Sequence, residues 1–146
     1  MARAAWGGGV TYLFHFDPPA VADPGDELAI QVRLRARCKM LAPTMKLIAT
    51  PNGAKRTAYA AMKAKAEGMT KGFPDLSAIG PDQFIAFLEI KARGGSVSPE
   101  QIDMLNFLHR CGFPCGVFRS VESAIAFLID AGAPFLVAKS FEELAA

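Results

Sequence analysis

Gly72-Phe73-Pro74-Asp75-Leu76 and, fourteen residues after the aspartate, Leu88-Glu89-Ile90-Lys91 decide how this chain of 146 residues is read. Gly72 and Pro74 make a turn, and Asp75 opens a short strand after it. The second segment ends the apolar run Phe84-Ile85-Ala86-Phe87-Leu88-Glu89-Ile90-Lys91, a second strand. Gly80-Pro81-Asp82-Gln83 turns between them, so the two form a hairpin. Side chains alternate along a strand, which sends Glu89 and Lys91 to one face and Ile90 to the other. Pairing then brings Asp75 to Glu89, with an ammonium beside them. Carboxylate oxygens are the hard ligands that Mg²⁺ or Mn²⁺ prefers. Lys91 is placed to orient a water or to balance charge on a phosphate. The plainer alternative is a solvated Glu-x-Lys pair on an exposed strand, after an ordinary Pro-Asp turn.

Composition bounds the rest. A chain of this length is one domain with room for a core. Hydrophobic residues at 51% against charged residues at 21% exclude a disordered chain. No apolar run reaches the about eighteen residues of a membrane span, since Asp130, Gly132 and Pro134 interrupt the longest candidate, Ala124 to Ala138. The N-terminus lacks the apolar core of a secretory signal. Cytoplasmic residence, in a bacterial or phage-infected cell, is the resulting expectation. Three cysteines, Cys38, Cys111 and Cys115, fit no disulfide framework. The run from His109 through Cys111 to Cys115 matches no zinc spacing well, and buried free cysteine is the simpler reading.

A net charge of +2 hides an asymmetry. Residues 33–71 hold ten of the sixteen Lys and Arg residues, with Glu67 as their only acid. Solvated helical faces usually mix both signs. A block so free of acid is the footprint of a phosphate-backbone binder, and Lys55, Arg56, Lys63 and Lys71 lie in it.

Residues 1–25 read as an N-terminal arm or edge element, with a strand within Thr11 to Phe16; His15 has a structural role there. Residues 26–41 alternate like a strand, but their Glu, Leu, Ala, Arg, Lys and Met content favours a helix. Asp26 caps it, and Ile30, Leu34, Cys38 and Leu41 form its buried stripe. Met45 to Thr50 is a short buried strand, and Pro51-Asn52-Gly53 a turn. Ala54 to Glu67 is an Ala-rich helix closed by Gly68. After the hairpin comes a basic loop at Arg93-Gly94-Gly95. Ser98-Pro99-Glu100-Gln101 is a capping box opening a helix, with Ile102, Leu105 and Leu108 inward. Pro114 to Phe118 is a strand. Ser120 caps a last helix with Val121, Ala124, Ile125 and Leu128 inward. The order gives a single α/β domain, a central mixed sheet flanked by helices.

These blocks together resemble the VRR-NUC domain, the virus-type replication-repair nuclease branch of the PD-(D/E)xK superfamily. The resemblance rests on Glu27 with Gln31, on Pro51-Asn52-Gly53-Ala54-Lys55-Arg56-Thr57, and on Gly68 through Gly72-Phe73-Pro74-Asp75-Leu76. It continues in Phe87-Leu88-Glu89-Ile90-Lys91-Ala92, Gly95-Ser96-Val97-Ser98-Pro99-Glu100-Gln101 and Val117-Phe118-Arg119-Ser120-Val121-Glu122. It implies a restriction-endonuclease-like domain over residues 26–131, between the arm at 1–25 and a tail at 132–146. Implied with it is divalent-metal-dependent hydrolysis of phosphodiester bonds. Asp75 and Glu89 would be ligands of Mg²⁺ or Mn²⁺, with the Ile90 carbonyl as a third and Glu27 as an additional acid. Lys91 would position the attacking water, and Gln101 would support the site. Asn52, Lys55, Arg56, Lys63, Lys71 and Arg93 are the expected DNA contacts. Small members of this kind resemble Holliday-junction resolvases and are expected to be homodimers acting on branched DNA.

Two rival readings stay open at this point. One is a non-catalytic nucleic-acid-binding protein on the same fold; the other is an unrelated small α/β protein whose acids are surface charges.

Overall fold

The structure is a computed structural model that describes residues 5–6, 10–51 and 57–136. In chain order the elements are β1 (Ala5–Trp6), β2 (Val10–Thr11), β3 (His15–Phe16), α1 (Glu27–Leu41), β4 (Lys46–Ala49) and α2 (Ala58–Ala66). They continue with β5 (Leu76–Gly80), β6 (Phe84–Ile90), α3 (Pro99–Arg110), β7 (Cys115–Phe118) and α4 (Val121–Asp130). Apart from the small β1–β2 pair, the strands form one mixed sheet of order β3-β7-β6-β5-β4. β4, β5 and β6 run antiparallel in sequence, while β6, β7 and β3 are parallel. Parallel neighbours need a crossover, and α3 supplies it between β6 and β7.

Helix ends are set by side chains that satisfy the orphan amides of the first turn. Asp26 accepts the Ala29 N–H, Thr57 that of Ala60, Ser98 that of Gln101 and Ser120 that of Ser123. The alternating stretch after Asp26 is helical because its apolar residues also recur at helical spacing. Ile30, Leu34 and Cys38 are buried along α1, and that stripe has a sheet face to cover. α1 and α4 pack on one face of the sheet, where Leu76, Ala78, Ala86, Leu88, Ile90 and Phe118 point inward. α3 covers the other face over β7 and β6, burying Ile102, Leu105 and Leu108 against Cys115 and Val117.

Three local expectations change. Met45 to Thr50, read as a buried strand, is the short β4 at the sheet edge; Met45 is buried, but Lys46, Ile48 and Ala49 are exposed. An edge strand has a neighbour on one side only, so these side chains stay open to solvent while Leu47 packs against the core. The single strand expected within Thr11 to Phe16 is split: Thr11 belongs to β2, and His15–Phe16 forms the opposite edge of the large sheet, in parallel register with Gly116 and Val117. Helix α2 begins at Ala58, after its Thr57 cap. The turn at Asn52-Gly53 and residues 54–56 lie outside the described residues, as does 137–146 of the expected tail.

The β5–β6 hairpin is the part of the fold that builds the site. Asp82 and Gln83 both adopt left-handed backbone, with φ of 58° and 62°. That is the primed-turn geometry whose twist matches the flanking strands. The resulting register pairs Gly80 with Phe84 and Leu76 with Leu88. One step further along the same ladder lie Asp75 and Glu89.

Candidate active site

Asp75 and Glu89 meet because the ladder beyond Leu76 and Leu88 is closed by side chains. The Asp75 amide donates to Glu89 Oε2 at 3.3 Å, and the Ile90 amide donates to Asp75 Oδ2 at 3.0 Å. Each carboxylate thus anchors the other's strand. Glu89 shares the α3-facing side of β6 with Phe87, while Ile90 enters the core under α1 and α4. A slip of one residue in the hairpin would exchange these faces and destroy the site.

Lys91 lies just past β6 and extends its ladder, its amide donating to Phe118 O at 3.0 Å. Its Nζ stands 3.6 Å from Glu89 Oε1 and 4.0 Å from Glu27 Oε1. Glu27 comes from the first turn of α1. Gln101, in the first turn of α3, has two partners. Its Oε1 accepts the Ser98 amide at 2.8 Å, completing the capping box, and its Nε2 donates to Glu89 Oε1 at 2.8 Å. The helix cap and the contact with Glu89 thus use opposite ends of one amide group.

The electrostatics are those of crowded, desolvated acids. Glu89 is 1% exposed and Lys91 9%. Burial, and then repulsion from Asp75, push the Glu89 carboxyl up to about 8, with Lys91 opposing the shift. Burial also raises Asp75, held back by the Ile90 N–H, and raises Glu27, held back by Lys91. Buried Glu89 and half-buried Asp75 have one ammonium beside them, so the site carries a surplus of negative charge when both are ionised.

That surplus is the feature a divalent cation would neutralise. Among the described residues no group of three or more His, Cys, Asp or Glu side chains is gathered closely enough to hold a metal. Glu27 is brought to Lys91 rather than into a three-carboxylate cluster. The donor set at the pair is two hard carboxylates beside an open cleft. This suits Mg²⁺, which keeps several waters and takes one or two carboxylates plus substrate phosphates. The buried thiols Cys38 and Cys115, which burial raises to about 11 and about 12, are poor metal ligands, and all three cysteines are free.

The pair opens into a cleft of about 1010 Å³. Glu27, Asp75, Glu89, Lys91 and Gln101 line one side; α2 and the segment after it form the other, with Ala61, Ala64, Lys65 and residues 68–73. Of the expected DNA-contacting residues, Lys71 lines this cleft while paired with Glu100 at 3.4 Å. Lys63 lies outside it, 4.0 Å from Glu67. Arg93 is exposed on the loop after Lys91. Asn52, Lys55 and Arg56 lie outside the described residues.

Lys65 joins the cleft wall without having been singled out from its basic block. The signal was present: Ala61, Ala64, Lys65 and Gly68 recur at i, i+3, i+4 and i+7, one face of a helix. Small residues on that face let α2 approach the site, and Lys65 is the cation they leave exposed there.

The family model described as the VRR-NUC domain matches residues 39–122. A solved structure described as a VRR_NUC domain protein superposes with a TM-score of 0.58 at 20% identity, covering 75% of this chain and 93% of its own. A second, described as a VRR_NUC domain, gives 0.51 at 22% identity, with 71% and 94% covered. No curated protein sequence matches the chain.

Proposed function

Because this chain belongs to the VRR-NUC domain family, a nuclease family, we propose that it is a divalent-metal-dependent, structure-selective DNA endonuclease of the Holliday-junction-resolvase kind. The observation that carries this reading is the pair of half-buried Asp75 and buried Glu89, with Lys91 Nζ 3.6 Å from Glu89, in a cleft also lined by Lys65 and Lys71.

The chemistry is hydrolysis: a water oxygen bonds to phosphorus, a P–O ester bond breaks, and the departing oxygen takes up a proton. Asp75 and Glu89, with the Ile90 carbonyl, would hold Mg²⁺ or Mn²⁺. Such an ion, when bound, supplies Lewis-acid polarisation of the phosphate and a more acidic water. The remaining work falls to the chain itself. Lys91 orients the attacking water and balances charge that grows on the phosphate. Glu27, 4.0 Å from the Lys91 ammonium, gives it a second carboxylate partner besides Glu89. Gln101 fixes Glu89 by its Nε2–H, so the carboxylate does not swing away when its charge changes. Lys65 and Lys71 attract the backbone without reading bases, which suits recognition by shape. Cutting both strands of a junction takes two such sites, hence a homodimer.

The test is cleavage of a labelled four-way junction with Mg²⁺ or Mn²⁺ by wild type and Asp75→Ala. Paired symmetric nicks, absent in the variant, are the expected result. Cleavage of flaps or single strands instead keeps the nuclease and discards the resolvase. Tight binding with no cleavage of any substrate leaves a non-catalytic binding protein on a nuclease fold.

A further inference from the structure

Arg119 directly follows β7 and is fully buried, 0% exposed. Its guanidinium is spent on main-chain carbonyls. Nη1 donates to Ala92 O at 2.7 Å, Nη2 to Gly95 O at 2.8 Å and Nε to Asp17 O at 3.2 Å. Asp17, itself 8% exposed, takes the Arg119 amide on Oδ2 at 2.8 Å. The Ser123 hydroxyl donates to that same oxygen, and His15 Nε2 lies 2.6 Å from Oδ1. Burial would raise the Asp17 carboxyl, but these hydrogen bonds outweigh it and hold the group below the usual range.

A buried cation is costly, and an apolar side chain of similar volume is often as good for stability. What an apolar residue cannot do is grip two carbonyls of one turn with a rigid planar fork. The turn gripped here is Ala92-Arg93-Gly94-Gly95, closed by the Gly95 amide on Ala92 O at 3.1 Å. Gly94 sits at φ +70°, and glycines give a turn little stiffness of its own. This turn directly follows Lys91, and the lysine stem runs along it: a Cβ added at Gly95 would come 3.7 Å from Lys91 Cδ. The Gly94 amide also donates to Pro19 O at 2.8 Å, tying the turn to the segment that holds Asp17.

We infer that Arg119, held by Asp17, is a positioning residue for Lys91: it fixes the Ala92–Gly95 turn that supports the lysine stem, and so the reach of the ammonium to Glu89. Arg119 touches neither substrate nor metal in this scheme. Its effect on rate rests on the nuclease reading above, whereas its effect on Lys91 does not.

The experiment compares wild type with Arg119→Lys, which keeps the charge but loses the fork, and with Asp17→Asn, which keeps the shape but weakens the hold. Two readouts are taken well below the melting temperature. The first is the rate at which an amine-reactive acylating reagent labels Lys91, by peptide mass spectrometry. The second is the split between kcat and KM on cleaved DNA. Both variants are expected to label Lys91 several-fold faster and to lose kcat by about 10- to 100-fold with KM largely unchanged, the scale of a misplaced catalytic group. Unchanged labelling of Lys91, or a lower melting temperature with unaltered kcat, overturns the inference. Should wild type cleave no DNA, the nuclease reading fails on its own, and the Lys91 labelling rate alone still decides whether Arg119 positions it.

Discussion

Gly72→Ala is the substitution whose cost the structure specifies best. Gly72 has φ +87°, and a Cβ there would lie 2.6 Å from Glu100 C, 2.7 Å from Glu100 O and 2.9 Å from the Gln101 amide nitrogen. Real Cβ atoms do not come so close, and the obstructing atoms are backbone. They belong to the first turn of α3, which the Ser98–Gln101 capping box holds rigid. An L-residue in left-handed backbone costs about 1–2 kcal/mol, and forcing a methyl into a packed site about 1–3 kcal/mol. The sum is roughly 2–4 kcal/mol after the entropy that alanine removes from the unfolded chain. At about 3 °C per kcal/mol for a domain of this size, the melting temperature should fall by about 6–12 °C. Gly68→Ala is the internal control: its φ is +92°, but nothing lies within 4 Å of an added Cβ, so only the backbone cost of about 1–2 kcal/mol, less the same entropy gain, remains. The assay is urea and thermal unfolding of both variants beside wild type. Cleavage should follow the same order, because the displaced segment leads through Phe73 into Asp75 and presses on the turn that carries Gln101. Equal destabilisation of the two variants would refute the claim that Gly72 exists for close approach to α3.

In metal-free protein the Glu89 carboxyl titrates near 8 when folded, above its ordinary value of 4.5. A raised folded pKa favours the folded state fully at low pH and loses that contribution as pH climbs from about 4.5 to about 8. Stability should therefore fall across that window, by at most roughly 5 kcal/mol at about 1.4 kcal/mol per unit. Glu89→Gln should flatten the fall while abolishing cleavage; a pH profile of unfolding identical to wild type would show that the pair is not strained. Gln101→Ala removes both a capping partner and the hold on Glu89, so unfolding should show a loss of about 1 kcal/mol and single-turnover kinetics a lower rate. A stability loss with full activity would leave the residue a cap only. Charge reversal at Lys65 and Lys71 should weaken DNA binding and flatten the dependence of log K on log salt by about 0.9 for each phosphate that is no longer neutralised. Binding isotherms over a salt series that match wild type would place the DNA surface elsewhere.

Much of this molecule follows from local rules acting on neighbours in the chain. Asp26, Thr57, Ser98 and Ser120 start helices because a short polar side chain reaches the amides two and three residues ahead. The hairpin follows from two apolar runs around a turn, and its period of two sends Glu89 and Lys91 to one face. Asp75, Glu89 and Lys91 were legible for that reason, since one hairpin contains all three and no long-range contact is needed to gather them. Gln101 was legible as a cap by spacing alone.

What tertiary packing decided is the company these residues keep. Only the docking of α3 on the sheet turns the free end of the Gln101 amide onto Glu89. Only the placement of α1 beside β6 brings Glu27 to Lys91. Lys65 was one cation among ten until α2 set its small face across the cleft. β4 looked buried because an apolar run of four to six residues reads alike at the centre and at the edge of a sheet; exposure depends on neighbours that its own residues do not encode. Arg119 is the clearest instance. Its partners Asp17, Ala92 and Gly95 lie 102, 27 and 24 residues away. A burial worth its desolvation only when all of them converge leaves no periodic trace in sequence.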